Sequence, residues 1–153
     1  CKQVKAALPD LKILWGGYFP TQHYEVVLKS EYVDYTIGGQ GEAPFRQLVD
    51  RLHTGGSTED IPSLSYLKNG EVITNDRAPN VQMDNLPWFP YDSIDVGRYV
   101  GSSYLGTRVL NHNTSFGCPL ACNFCEVVAL ANRRCLPESA ERVAIIVTDL
   151  HVN

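Results

Sequence analysis

Apolar residues in roughly the first seventy positions switch between helical and extended spacing, which predicts alternating helices and strands of a parallel α/β sheet. Val4, Ala7, Leu8 and Leu11 recur at i, i+3, i+4 and i+7, so an amphipathic helix is expected, ended by Pro9. Residues 12–15 are short and apolar and stop at Gly16-Gly17, a pair that lets a strand turn sharply or approach a ligand closely. Thr21 is placed to cap a short helix carrying Tyr24, Val27 and Leu28 on one face. A second strand over 32–37 runs into Gly38-Gly39-Gln40-Gly41-Glu42, and Phe45, Leu48, Val49 and Leu52 then form a helical stripe ending near His53 and Gly55-Gly56. Both strands therefore meet glycines before a helix, at the carboxyl edge of the sheet, where open α/β folds hold ligands. Either pair by itself is explained more plainly as a tight turn needing positive φ.

The pattern then changes. Residues 63–67 and 71–74 flank Lys68-Asn69-Gly70, and Asn-Gly between extended runs signals a hairpin. From Asn75 to about Tyr104 no period is sustained, and Pro79, Pro87 and Pro90 mark a linker over a surface, with Leu86, Trp88, Phe89 and Tyr91 as apolar anchors. Trp88 and Phe89 could also stack on a planar ligand, though packing is the simpler role. Residues 107–113 read as a strand leading into a cysteine cluster. Val143, Ile146, Val147 and Leu150 make a last helical stripe, over Pro137 to about His151. The expected segments are 1–60, 61–104 and 105–153. The last is a single β/α unit, and the chain lacks an initiator methionine, so a piece of a longer protein is expected.

Composition narrows the partners. The 153 residues are 44% hydrophobic and 20% charged with a net charge of −4, which excludes disorder and coiled coil as the main state. An acidic chain with no run of like charge argues against nucleic acid or an anionic membrane surface as main partner. No apolar stretch approaches the roughly 18 residues of a membrane span, and no signal peptide is expected.

Of five cysteines, Cys118, Cys122 and Cys125 fall within eight residues, in CxxxCxxC spacing, while Cys1 and Cys135 stand apart. An odd, clustered set suits a reduced cytoplasmic site better than an extracellular disulfide framework. Zinc, an iron–sulfur cluster, and a disulfide with a spare thiol all remain open on spacing alone. Structural zinc would need a fourth ligand such as Cys135 or His112, whereas a cubane held by three thiolates leaves one iron open to a ligand. His23, His53 and His112 read as surface or capping residues, and Cys135 as a buried or spare thiol. Glu42 suits either a ribose hydroxyl or the start of a helix.

Cys118-x-x-x-Cys122-x-Phe124-Cys125, preceded by Ser115-Phe116-Gly117, resembles the signature of the radical S-adenosylmethionine superfamily. Gly16-Gly17-Tyr18-Phe19-Pro20-Thr21, then 33–42, then Leu86-Pro87 and Tyr91-Asp92, follow in the order of the subfamily whose cobalamin-binding domain precedes the radical barrel. The resemblance covers residues 11 to about 150. It implies the C-terminal part of a Rossmann-like, flavodoxin-like cobalamin domain, a hairpin and linker, and the first β/α unit of a partial (β/α) barrel.

By that resemblance, Cys118, Cys122 and Cys125 hold a 4Fe–4S cluster whose open iron takes S-adenosylmethionine, with Phe124 against the adenine. Gly16, Gly17, Gly39, Gly41 and Glu42 line the groove for the cobalamin tail. No catalytic side chain is assigned. The implied activity is methyl transfer to, or rearrangement of, an unactivated carbon through a 5′-deoxyadenosyl radical. The implied partners are a small-molecule, natural-product or lipid substrate and a one-electron reductant such as flavodoxin or ferredoxin. The 153 residues alone are expected to be catalytically silent, because one β/α unit cannot enclose S-adenosylmethionine. The competing expectation is a non-catalytic nucleotide- or cobalamin-binding module with a zinc-stabilised loop.

Overall fold

The computed structural model describes residues 1–152, with side chains described through residue 150. Helix α1 (Lys2–Ala7) leads to strand β1 (Leu14–Gly16), helix α2 (Tyr18–Leu28), strand β2 (Tyr35–Ile37) and helix α3 (Glu42–Thr54). The hairpin β3 (Leu64–Lys68) and β4 (Glu71–Thr74) follows. β1 and β2 are parallel, with Leu14 opposite Tyr35 and Gly16 opposite Ile37. β3 adds antiparallel to β2, giving a mixed four-stranded sheet in the order β1-β2-β3-β4. The Asn69-Gly70 turn has positive φ at both residues, as a two-residue hairpin turn requires. Ile37, Leu48, Ile61, Leu64 and Tyr66 form the core beneath this sheet, and Val27 and Leu28 are also buried.

Downstream come three short 3₁₀ turns (Met83–Asn85, Tyr91–Ser93, Val96–Tyr99) and a hairpin, β5 (Gly101–Ser103) and β6 (Gly106–Val109). Then follow β7 (Ser115–Gly117), helix α4 (Glu126–Ala131), β8 (Cys135–Pro137) and helix α5 (Ala140–Val152). β7 and β8 pair as a separate two-stranded sheet. No helix of the described residues is long and apolar enough to cross a membrane.

Several expectations shift. Thr21 does not cap α2: the helix starts at Tyr18 from Gly17, and Pro20 fits its first turn, where backbone N–H groups need no intrahelical acceptor. The strand expected over 107–113 is instead the second arm of the β5–β6 hairpin, because Tyr104-Leu105 turns the chain back. The strand that enters the cysteine loop is β7. The final helix begins at Ala140, after Pro137 has been taken up by β8. Trp88 and Phe89 are exposed, and the linker is not anchored by burying them. The stripes of α1 and α3 form as helices, but Val4, Leu8, Phe45 and Val49 stay exposed and only Pro44 and Leu48 of α3 are buried.

By compactness the described chain forms two units. One unit comprises Cys1–Val81 with Gly117–Cys135, and the other Gln82–Phe116 with Leu136–Asn153. The hairpin belongs to the first unit because β3 pairs with β2. The cysteine loop belongs there because its helix packs on α2.

Candidate functional site

At the carboxyl edge of β1 and β2, within the first unit, Leu14, Gly16, Gly17, Ile37, Gly39, Gly41, Glu42 and Phe45 line a groove of about 320 Å³. The five cobalamin-groove positions expected from the sequence are thus brought together. Gly17 and Gly39 need to be glycine for conformational reasons, with φ of +96° and +76°. Gly16 and Gly41 do not: a Cβ there would lie 3.9 Å from Ile37 O and 3.6 Å from Ile37 Cγ2, ordinary contact distances. Their lack of a side chain keeps the groove open rather than permitting the turn.

Thr21 has a role that its sequence position did not reveal. Its hydroxyl donates to Gly17 O (2.6 Å) and accepts from Gly39 N–H (3.0 Å), so one side chain joins the two glycine turns. Gln40 points away from the groove. Its amide donates to Val81 O (2.9 Å) and accepts from Val81 N–H (2.6 Å), a pairing that requires both a donor and an acceptor and that a carboxylate could not make. Beside this turn, Arg77 donates to Ala129 O and Asn80 donates to Ala131 O, at the last turn of α4. Desolvation lowers the pKa of Arg77, which remains a cation.

The cysteine loop opens at Gly117, with φ of +85°. A Cβ at this glycine would overlap Arg134 O and the Ala131 side chain, so the residue before Cys118 is fixed by packing. Cys122 O accepts from Cys125 N–H (3.2 Å), closing a turn, and Cys125 stands at the N-cap of α4. All three thiols are free, with Cys118 and Cys125 half-buried and Cys122 exposed. Among the described residues, no three His, Cys, Asp or Glu side chains are gathered closely enough to hold a metal ion. The donor set nonetheless fits a cluster: three soft, unpaired thiols lie on one short loop, and metal sites rarely form before the metal binds. Phe124, 87% exposed, is available to a ligand plane. Cys135, expected as a buried or spare thiol, is free and exposed on β8.

In the second unit, His112, expected as a surface or capping residue, is half-buried and bonded on both sides of its ring. Its ring joins Tyr91 Oη (2.8 Å, at Nδ1) to Glu138 (2.8 Å, at Nε2). Arg142, in α5, meets the same carboxylate, which lies just ahead of that helix, and donates to the carbonyls of Asp84, Leu86 and Pro87. Its guanidinium also lies 4.5 Å from the centre of the Trp88 ring, so one tryptophan face is taken by a cation. Desolvation, aided by the Glu138 charge, raises the Tyr91 pKa. The i, i+4 spacing of Glu138 and Arg142 was readable in the sequence, but their meeting with His112 was not.

No family model matches the chain. An uncharacterized methyltransferase of Pyrococcus horikoshii is 31% identical over 141 residues, 91% of this chain and 30% of that protein. The anaerobic magnesium-protoporphyrin IX monomethyl ester cyclase of a Synechocystis strain is 28% identical over 123 residues, 80% of this chain and 24% of its own. The radical S-adenosylmethionine methyltransferase TsrM of Kitasatospora setae, solved with cobalamin and a [4Fe-4S] cluster bound, shares the fold with a TM-score of 0.64. It is 19% identical, and the match covers 92% of this chain and 29% of TsrM. This chain is a relative of the cobalamin-dependent radical S-adenosylmethionine proteins. Its mixed α/β architecture is theirs over nearly its whole length. It spans between about a quarter and a third of the length of these relatives.

Proposed function

We propose that this chain provides the cobalamin-binding edge and the cluster-binding loop of a radical S-adenosylmethionine enzyme. The reaction class is methyl transfer to, or rearrangement of, an unactivated carbon. The observation that carries the reading is that the glycine-walled groove and the loop with three free thiols belong to one compact unit. The naming of one relative as a methyltransferase, and the cobalamin and cluster bound in TsrM, support it.

Cys118, Cys122 and Cys125 would hold three irons of a 4Fe–4S cluster, leaving the fourth to the amino and carboxylate groups of S-adenosylmethionine. Held by these three thiolates, a cluster would supply one-electron chemistry to S-adenosylmethionine, and a corrinoid in the groove would supply methyl-carrying chemistry. The chain's own residues bind and orient. Gly16 and Gly41 leave the groove clear, Thr21 holds the Gly17 and Gly39 turns at a fixed separation, and Phe124 offers a face to the adenine. In domain terms, 1–60 closes a cobalamin domain, 61–104 is hairpin and linker, and 105–153 begins the radical domain. The substrate is a small molecule, natural product or lipid, the reductant a flavodoxin or ferredoxin, and the compartment the cytoplasm.

Anaerobic reconstitution with iron and sulfide tests this, read by metal content and by the EPR spectrum after dithionite reduction. Wild type and Cys135→Ala should assemble the cluster, and Cys122→Ala should not, because two thiolates cannot retain a cubane that already lacks one protein ligand. Stoichiometric zinc that resists exchange, or equal iron in Cys122→Ala, would overturn the assignment.

A further inference from the structure

Residues 77–81 follow β4 without regular structure, and they lie between the groove's second glycine turn and the last turn of α4. On one side, a Cβ on Gly38 would sit 3.5 Å from Arg77 Nη2, and Gln40 grips Val81 through both ends of its amide. On the other, Arg77 and Asn80 donate to Ala129 O and Ala131 O. These carbonyls belong to the group at a helix end that has no intrahelical donor. The gap between turn and helix is itself narrow, since a Cβ on Gly39 would lie 3.4 Å from Leu130 O.

Helix α4 has only six residues, too few to be stable alone, so its position depends on what holds its ends. Its other end is Cys125. Arginine is suited to holding such an end, because its planar fork stays charged and complements the electronegative terminus of a helix. We infer that Arg77 is a positioning residue that couples the cobalamin groove to the cluster loop, by fixing α4 and thereby Cys125 against the Gly38-Gly39 turn. This deepens the proposed function and rests on it.

Coupling of this kind is a difference in affinity. The full chain is prepared with and without its reconstituted cluster and titrated with hydroxocobalamin, followed by absorbance. Wild type should show affinities that differ between the two forms by on the order of fivefold or more. Arg77→Ala should bring that ratio to about one while retaining its iron and its melting transition, and Arg77→Lys should fall between. If Arg77→Ala does not fold, Asn80→Ala, which removes a neighbouring contact to the same helix end, should lower the ratio in its place. A wild-type ratio of one, or a folded Arg77→Ala or Asn80→Ala with the wild-type ratio, overturns the coupling alone. Failure of wild type to bind hydroxocobalamin at all overturns the functional reading and the coupling with it.

Discussion

The two compact units are held together differently. In the first, the mixed sheet and helices α2 and α3 bury Val27, Leu28, Ile37, Leu48, Ile61 and Leu64 almost completely. In the second, the described buried hydrophobic residues are Leu136 and Ile146, and its interior is completed by Glu138, Arg142, His112 and Tyr91. Apolar burial tolerates small shifts and loses energy gradually. A hydrogen-bonded charge network is satisfied only in one geometry, and removing one member leaves the others desolvated without partners. The groove and the cysteine loop are carried by the unit with the apolar core. The linker from Gln82 onward lies in the unit with the network.

The largest expected effect is at Gly117. Valine there meets both a positive φ and a collision with Arg134 O and Ala131, so Gly117→Val should lose more than about 4 kcal/mol, or fail to fold, as read by urea melts. A loss below about 1 kcal/mol would mean that the turn into the cysteine loop has another conformation.

Next comes a matched pair. Leu48→Ala should cost the first unit roughly 2 to 5 kcal/mol through its cavity. Arg142→Met should cost the second unit about 3 kcal/mol by leaving Glu138 buried beside His112 alone. The two tryptophans are divided between the units, Trp15 in the first and Trp88 in the second, so single-tryptophan variants can report each transition by fluorescence. If Arg142→Met moves only the Trp15 transition, the contrast between the units is misplaced.

A smaller gain is expected from Thr36, whose hydroxyl is buried in β2 without a hydrogen-bond partner. Thr36→Val keeps the shape and removes the unsatisfied group, which should stabilise the first unit by about 1 kcal/mol. A destabilised valine variant would show that the hydroxyl has a partner after all.

The smallest effect is a pH dependence of the first unit. Desolvation raises the pKa of Asp34, but hydrogen bonds from Lys5 and the Ile13 N–H, with the charges of Lys12 and Lys5, outweigh it and lower the pKa overall. A carboxyl depressed on folding contributes stability above its unfolded pKa of about 3.9, and that contribution is lost as pH falls through the lower folded value. The difference in melting temperature between wild type and Asp34→Asn should therefore be constant near neutral pH and shrink below about pH 4. A difference that grows on acidification would contradict the sign.

Much of the local structure was legible because its causes are local. Asn69-Gly70 needs positive φ at two successive residues and so marks a hairpin, and Gly55 ends α3 in a left-handed conformation. The glycine turns were placed at the sheet edge by the same reasoning, and the structure gathers them into one groove. What failed were inferences from periodicity about burial and from position about caps. The stripe of α3 is a correct helix signal, yet Phe45 and Val49 face away from the core, since periodicity shows that a face is apolar without showing what covers it.

Steric allowance belongs to the residue, so turns and helices could be read from the chain without its fold. That Thr21 joins two turns, that His112 links Tyr91 to Glu138, and that residues 77–81 lie between the groove turn and α4 came from packing alone. The partners in these contacts are separated by as many as 52 residues along the chain, and no periodicity or propensity reaches that far. They exist because buried polar groups must be satisfied by whatever the packing brings within reach.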